Sequence, residues 1–361
     1  MTQAEGHAVT IVVPSLKVSG GIREALRLAE DLDTGGLPAR ILAMWASPHP
    51  MKTTASVAML SDWAPRIARA PVELPLLLWR FARWLRSRRG ERGGFVFTHY
   101  ATLPLALLVA RRQRYFFVQD LEWNFIGNGV LAAVLRRIVL GFYRTGRIVS
   151  ANSYLTECLR REGLDVALQA PIWADPGFAA QGVSVRDLDF VMVLRKGAHK
   201  RLDLYRRFMS LARQRGLRVA AITPEDEIAA LADGEANELL LRPDAAEMKT
   251  LYGRSKCFIH LSEHEGFGLP PLEAMGSGCV PICRDSGGVR AFMQRGALED
   301  NLLPLDVPLE AVFDHAARVV DDQQAWQRLS SQARERFDTG LRAVVQARDQ
   351  LAERFVQQAN R

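Results

Sequence analysis

Ser262-Glu263-His264-Glu265-Gly266-Phe267-Gly268-Leu269-Pro270-Pro271-Leu272-Glu273-Ala274-Met275-Gly276-Ser277-Gly278-Cys279-Val280-Pro281-Ile282 is the stretch on which the reading of this 361-residue chain turns. Residues 257–261 just before it, apolar but for His260, form a run of strand length, and 280–283 at its end form another. Between them a Gly-rich turn leads to Pro271, at what the pattern predicts as a first helical position, and a helix over 271–275. Strand, tight turn, helix, strand is one unit of a parallel α/β sheet. The amides of Phe267, Gly268 and Leu269 then fall free at a helix N-terminus, where the dipole favours an anion. Glu265 is placed in the loop at the strand's end and Glu273 about one turn into the helix, so both can face one ligand. Taken alone, a glutamate pair at a turn favours the plainer arrangement, Glu273 complementing the helix dipole and Glu265 in solvent.

Working outward, the same alternation recurs. Strands are predicted over 188–194 and 218–222, with helices over 202–215 and 245–252. Residues 309–361 read as helical throughout. In the first half, the β-branched run 9–13 suits a strand buried on both faces. It is followed by Gly20-Gly21, a helix over 22–32 and a second strand over 39–45. Further strands are expected at 94–98, 115–118 and 147–151, with helices at 73–88, 102–112, 130–144 and 153–162. The pattern loosens at 168–186. That places a junction between domain 1–170 and domain 171–340, with 341–361 crossing back to the first. The expected class is α/β: two Rossmann-like, doubly wound parallel-sheet domains facing across a cleft, with ligands at the carboxyl ends of the strands.

Composition agrees with an ordinary globular chain: 48% hydrophobic, 24% charged and net charge +7. The charge is uneven, since residues 1–168 carry 22 Lys/Arg against 13 Asp/Glu and the remainder 25 against 27. Four cysteines are too few for a disulfide framework, and Cys279 and Cys283 flank an apolar tripeptide that suits buried strand thiols better than a metal site. The N-terminus has no signal-peptide pattern, and the run 74–79 is cut by Arg80 and Arg83 well short of the ~20 residues a bilayer span needs. A cytoplasmic protein is expected.

The quoted string closely resembles the signature of the family-4 retaining glycosyltransferases of GT-B fold: glutamate, seven residues, glutamate, within Glu-Gly-Phe-Gly-Leu-Pro-x-Leu-Glu-Ala-Met. The resemblance implies that Glu265 lies near the transferred sugar and that Glu273 binds the nucleotide ribose, with Gly266, Phe267, Gly268 and Leu269 around the donor. Two ribose hydroxyls suit one ionised carboxylate. Family members also carry an arginine at the end of an upstream strand and a lysine five residues later, both on the donor diphosphate; Arg195 and Lys200 have that spacing. These two cations would steady the leaving phosphate, and no metal or other cofactor is expected. The chain departs from the pattern at Arg201, where the family commonly has glycine. Arg242-Pro243-Asp244 resembles the segment near the nucleotide base, and Gly20-Gly21 the glycine loop that approaches the donor phosphates.

Residues 115–122 end in Gln119-Asp120-Leu121-Glu122, where many family members have a histidine. This form resembles a subgroup of bacterial rhamnosyltransferases that build surface polysaccharides. Asp120 is a candidate for acceptor or sugar hydroxyls or a loop cap. Gln119 and His99 are further acceptor or sugar candidates. Leu74, Leu77, Leu78, Phe81, Trp84 and Leu85 alternate with six arginines over 73–92, which fits either an anionic membrane surface or a helix packed on its sheet. No nucleic-acid motif accompanies the arginines, so nucleic acid is not an expected partner. The resemblance implies a metal-independent hexosyltransferase that uses a nucleoside-diphosphate-sugar on a glycan or lipid-linked acceptor, possible donors including dTDP-rhamnose. The competing readings are an inactive GT-B subunit that binds nucleotide-sugar or a partner, and a GT-B nucleotide-sugar epimerase.

Overall fold

The computed structural model describes residues 8–17, 19–62, 70–87, 93–126, 129–179, 185–294, 296 and 298–359. The chain divides into two compact units, residues 1–172 with 345–361, and residues 173–344.

The first unit runs β1 (Val9–Val13), α1 (Gly20–Thr34), β2 (Ala39–Ala43), β3 (Ser56–Met59), α2 (Ala70–Arg86), β4 (Phe95–Phe97), α3 (Leu103–Ala106), β5 (Arg114–Val118), α4 (Val130–Tyr143), β6 (Arg147–Ser150), α5 (Ser153–Arg161) and β7 (Val166–Gln169). Its strands form a seven-stranded parallel sheet in the order β3-β2-β1-β4-β5-β6-β7. All five residues of β1 are buried, as a strand with covered faces on both sides requires. The strand order reverses between β1 and β4, and that switch point opens at the sheet's carboxyl edge.

The second unit runs β8 (Leu188–Val193), α6 (Leu202–Gln214), β9 (Val219–Thr223), α7 (Asp226–Ala232), β10 (Glu238–Leu241), α8 (Ala245–Arg254), β11 (Ser255–His260), α9 (Leu269–Gly276), β12 (Val280–Arg284), α10 (Arg290–Met293), β13 (Leu302–Leu303), α11 (Leu309–Asp321) and most of α12 (Gln323–Asp349). Here the parallel order is β10-β9-β8-β11-β12-β13, with the switch point between β8 and β11. Phe190, Phe208 and Phe313 pack edge-on and tilted at centroid separations of 5.1 to 6.4 Å, joining β8, α6 and α11 in one aromatic core.

The last turns of α12, and α13 (Leu351–Ala359), belong to the first unit. Leu351, Ala352 and Phe355 are buried there, and the Phe355 ring lies 5.3 Å from that of Tyr115. Arg348 fixes the attachment by donating to Glu24 at 3.3 Å and to the Pro171 carbonyl at 3.2 Å, and by pairing with Asp31 at 3.3 Å. Burial pushes the Glu24 carboxyl up, against the pull of Arg27, Arg348 and Arg23.

Several expectations are corrected. The helix expected over 102–112 is a 3₁₀ turn at Tyr100–Thr102 followed by the single turn of α3, because His99 and Thr102 form a capping box that starts the helix early, and the chain then turns out at exposed Leu107 and Leu108. Gly20 and Gly21 are not a loop but the first turn of α1, capped by Ser19, whose side chain accepts from the Ile22 amide at 3.3 Å. Helix α9 begins at Leu269, so Pro271 is its third residue and not its first. Strands β3, β7 and β10 and helix α7 had no sequence forecast; β3, β7 and β10 are edge strands of four residues, with no more than three consecutive apolar residues inside each strand and several of these part-exposed or exposed. The predicted helix over 73–88 is α2, and Arg88, Arg89 and Arg92 lie outside the described residues.

Candidate active site

The site in the second unit is built where β8 and β11 end. After β8 the chain passes Leu194, exposed Arg195 and Lys196, then Gly197 at φ 127°, and makes a 3₁₀ turn over Ala198–Lys200. The Lys196 amide donates to Glu225 at 2.8 Å and the Glu263 amide to the His199 carbonyl at 2.8 Å, so the two loops are stitched to each other and to the start of α7. This brings Lys200 Nζ to 2.7 Å from Glu265 Oε1, across 65 positions of sequence. The two side chains are 23% and 17% exposed, open enough on one side to reach a ligand. Arg195 makes no hydrogen bond or ion pair with any described residue.

Glu265 is held from behind. Its amide donates to the Ser286 carbonyl at 2.9 Å and its carbonyl accepts from the Gly288 amide at 2.9 Å. Gly288 is required for that approach, since a Cβ there would lie 2.4 Å from the Gly266 carbonyl carbon. His260, the last residue of β11, is buried with Nε2 3.8 Å from Glu265 Oε1 and 3.3 Å from Ser286 Oγ. Burial, with Lys200 adding to it, lowers the His260 pKa to about 4 against the opposing field of Glu265, so this ring is neutral near pH 7. Burial by itself would raise Glu265; Lys200 above all, then His260 and a hydrogen bond from Ser262, outweigh it and hold the carboxyl below its ordinary value. The site therefore presents an ionised carboxylate and an ammonium side by side.

Gly268 caps α9 in the left-handed region at φ 88°, which lets the turn after Glu265 enter the helix directly. The amides of Phe267, Gly268 and Leu269 donate to no described residue, leaving them for an anion at the helix start. The Phe267 side chain is packing, 6.0 Å from Trp173 and 5.8 Å from Phe292, so only its backbone is offered to a ligand. Glu273 sits one turn into α9 and is 3% exposed, deeper than Glu265. Arg201, the departure from the glycine pattern, adopts φ 53°, a conformation glycine takes freely. It is held there by ion pairs with Asp203 at 2.8 Å and with Glu263. Arg242 pairs with Asp226 at 2.7 Å, and Asp244 caps α8 by a capping box with Glu247.

In the first unit the carboxyl edge gathers Gly21, His99, Gln119, Asp120 and Glu122. A Cβ on Gly21 would lie 3.2 Å from Gln119 Oε1, a buried oxygen with no hydrogen-bond partner among the described residues. Asp120 caps its own loop, its Oδ1 accepting from the Leu121 amide at 2.7 Å. His99 Nδ1 accepts from the Ala101 amide at 3.1 Å, which leaves the ring proton on Nε2, 3.7 Å from Glu122 Oε1. Burial lowers the His99 pKa to about 4. Burial also raises Glu122 to about 8, opposed by a 2.8 Å bond from the Tyr100 amide and helped by Asp120, so its carboxyl is largely protonated at neutral pH. His260 and Glu122 are the two site groups that sequence reading left unassigned. The signals were a histidine closing the strand before Glu265 and the final glutamate of Gln119-Asp120-Leu121-Glu122.

Among the described residues no group of three or more His, Cys, Asp or Glu is placed to hold a metal ion. Cys257, Cys279 and Cys283 are buried free thiols, that of Cys279 pushed up to about 12 by burial.

Two doubly wound parallel sheets, each with polar groups gathered at its carboxyl-edge switch point, define the architecture. The fold is GT-B. The sucrose-phosphate synthase structure from Thermosynechococcus elongatus superposes with a TM-score of 0.79 at 13% identity, covering 97% of this chain and 99% of that one. Residues 223–336 match the family model of glycosyl transferases group 1. The GDP-mannose:cellobiosyl-diphosphopolyprenol alpha-mannosyltransferase of Komagataeibacter xylinus is 43% identical over 67 residues, 17% of each chain. The lipopolysaccharide core biosynthesis mannosyltransferase LpcC of Rhizobium leguminosarum bv. viciae is 26% identical over 63% of this chain and 68% of its own. The first three curated relatives are matched over only 13%, 17% and 26% of their lengths.

Proposed function

We propose that this chain is a retaining glycosyltransferase that moves a hexosyl group from a nucleoside diphosphate to a glycan or lipid-linked acceptor in the assembly of a bacterial surface polysaccharide. The observation that carries this reading is the Lys200–Glu265 pair at the β8 and β11 ends, beside the free amides of α9. The amides and Lys200, with exposed Arg195, form a cationic cradle for a diphosphate, and Glu265 offers a carboxylate to the sugar attached to it. Buried Glu273 serves the ribose. In the reaction the acceptor oxygen bonds to the anomeric carbon on the face from which the phosphate departs. The bond from that carbon to the phosphate oxygen breaks, and the acceptor proton passes to the leaving diphosphate. Arg195 and Lys200 stabilise the charge that develops there, the role a metal ion takes elsewhere, so activity should survive chelators. His99, Gln119 and Asp120 serve acceptor or sugar hydroxyls on the first unit.

The mannosyltransferase names among the relatives favour mannose as the sugar, and one of them specifies GDP-mannose and a lipid-linked acceptor. A second donor reading, dTDP-rhamnose, rests on Gln119-Asp120-Leu121-Glu122. The test is release of nucleoside diphosphate from a panel of GDP-, dTDP-, UDP- and ADP-sugars with and without lipid-linked acceptor, and the anomeric configuration of the product by NMR. Retained configuration, with release abolished by Glu265→Gln and Lys200→Ala, supports the reading. Inversion, or nucleotide binding with no turnover on any acceptor, defeats it in favour of another mechanism or a binding subunit. Conversion of the free donor to its epimer would assign the site to an epimerase.

A further inference from the structure

Helix α4 is the most apolar exposed element of the first unit. At about 100° per residue, Val130, Val134, Ile138 and Leu131 fall within an arc of roughly 100° on one side. They are 83%, 47%, 52% and 66% exposed. The opposite side, Val139, Leu140 and Tyr143, is buried against the unit's core. The helix is therefore anchored by one face and leaves a complete second apolar face in water, which a monomeric soluble surface rarely does. The charged residues of α4 itself, Arg136 and Arg137, are both basic. Arg137, next to Val130 on the helical wheel, is exposed and pairs with no described acid. Arg111 lies at the helix's C-terminal end, donating to the Arg144 carbonyl at 3.1 Å, and Arg136 is bound to Glu162.

By contrast α2, the cationic helix that the sequence offered for a membrane, directs Leu77 and Phe81 inward at 2% and 0% exposure and stacks Phe81 on Trp84. Among the described side chains, its outer side keeps scattered apolar groups such as Leu74 and Trp79.

We propose that α4 is a docking surface for an anionic phospholipid membrane. Val130, Leu131, Val134 and Ile138 enter the headgroup and acyl boundary, and Arg137 with its basic neighbours meets the lipid phosphates. A second copy of the chain is disfavoured as the occupant, because apposing two such faces would bring the unpaired arginines together. The inference goes beyond the transfer reaction and does not depend on it.

The test is co-sedimentation of the full chain with phosphatidylcholine vesicles, with and without phosphatidylglycerol, and no sugar donor present. Binding is expected only with phosphatidylglycerol, to weaken with added salt, and to fall about tenfold or more in Leu131→Glu/Val134→Glu. Arg137→Glu, which leaves the apolar residues in place, should weaken it as well, and Trp79→Ala on α2 should not. Because the substituted side chains are exposed, thermal unfolding should stay at the parent's temperature. Absence of binding, equal binding to both vesicles, or binding unchanged by the α4 variants overturns the proposal. So does a dimer in sedimentation that Leu131→Glu/Val134→Glu dissociates, which would give the face to a second copy.

Discussion

Removing the Lys200 ammonium tests the site most directly, because it can be read without knowing the donor sugar. In the parent, Lys200 Nζ lies 2.7 Å from Glu265 Oε1 with both side chains largely covered. Such a pair falls between an exposed ion pair, worth less than about 1 kcal/mol, and a fully buried one, whose disruption costs ~3–5 kcal/mol. Lys200→Ala should therefore destabilise the protein by about 2 kcal/mol at pH 7. The pH dependence supplies a sharper check. Glu265 is held below its ordinary value in the folded state, so its contribution is present above the unfolded carboxyl pKa of about 4.3 and is lost as pH falls through the folded value. Without Lys200 the largest remaining influence on Glu265 is burial, which pushes its pKa up, and His260 is mostly neutral above its pKa of about 4. The stability gap between parent and variant should be widest near neutrality and close below about pH 4. Urea unfolding at pH 7 and at pH 4, with a double-mutant cycle to Glu265→Gln, measures this. A gap independent of pH, or two substitutions whose effects simply add, would refute the pairing. If the pair also serves the leaving phosphate, turnover should drop by about 10²–10³.

Glu122→Gln should stabilise the protein increasingly as pH rises from about 5 to 8. A carboxyl raised to about 8 keeps its proton in the folded state while the unfolded chain loses it, so the parent loses stability across that window and the amide does not. Unfolding at several pH values reads the difference, and parallel curves would show that Glu122 is not protonated. Arg201→Gly relieves the φ 53° backbone but gives up the Asp203 and Glu263 pairs, so it should stay within about 1 kcal/mol of the parent. Arg201→Val keeps the strained backbone and loses the pairs, so it should cost about 2 kcal/mol; equal effects of the two would deny the left-handed strain. Gly268→Ala, at φ 88° with a Cβ 2.8 Å from a Val289 methyl, should destabilise by about 1–3 kcal/mol and loosen the turn after Glu265, measured by denaturation and by hydrogen exchange of 266–269.

Much of the architecture was legible because it rests on local pattern. The β-branched run of β1 and the apolar runs of β8, β11 and β12 are strands buried on both faces, and burial on both faces is written as consecutive apolar residues. The Gly-rich string from Glu265 to Met275 likewise announces its turn and helix, since left-handed Gly268 and the prolines of the first turn act within a few residues. Edge strands β3 and β7, four residues each with only three consecutive apolar positions and mostly part-exposed or exposed side chains, carry a much shorter signature.

What the sequence determined by itself, then, is the alternation of strands and helices, the two sheets it implies and the positions of Glu265, Glu273, Arg195 and Lys200 at strand ends or a helix start. Only the tertiary structure decided which charges meet and which are buried. It brings Lys200 onto Glu265, closes neutral His260 behind them, places Arg201 in a backbone conformation held by two acids, buries the Glu122 carboxyl, and turns the apolar face of α2 inward while leaving that of α4 in water. Periodicity along the chain is set by φ and ψ of neighbouring residues, whereas pairing and desolvation depend on which distant segments pack together.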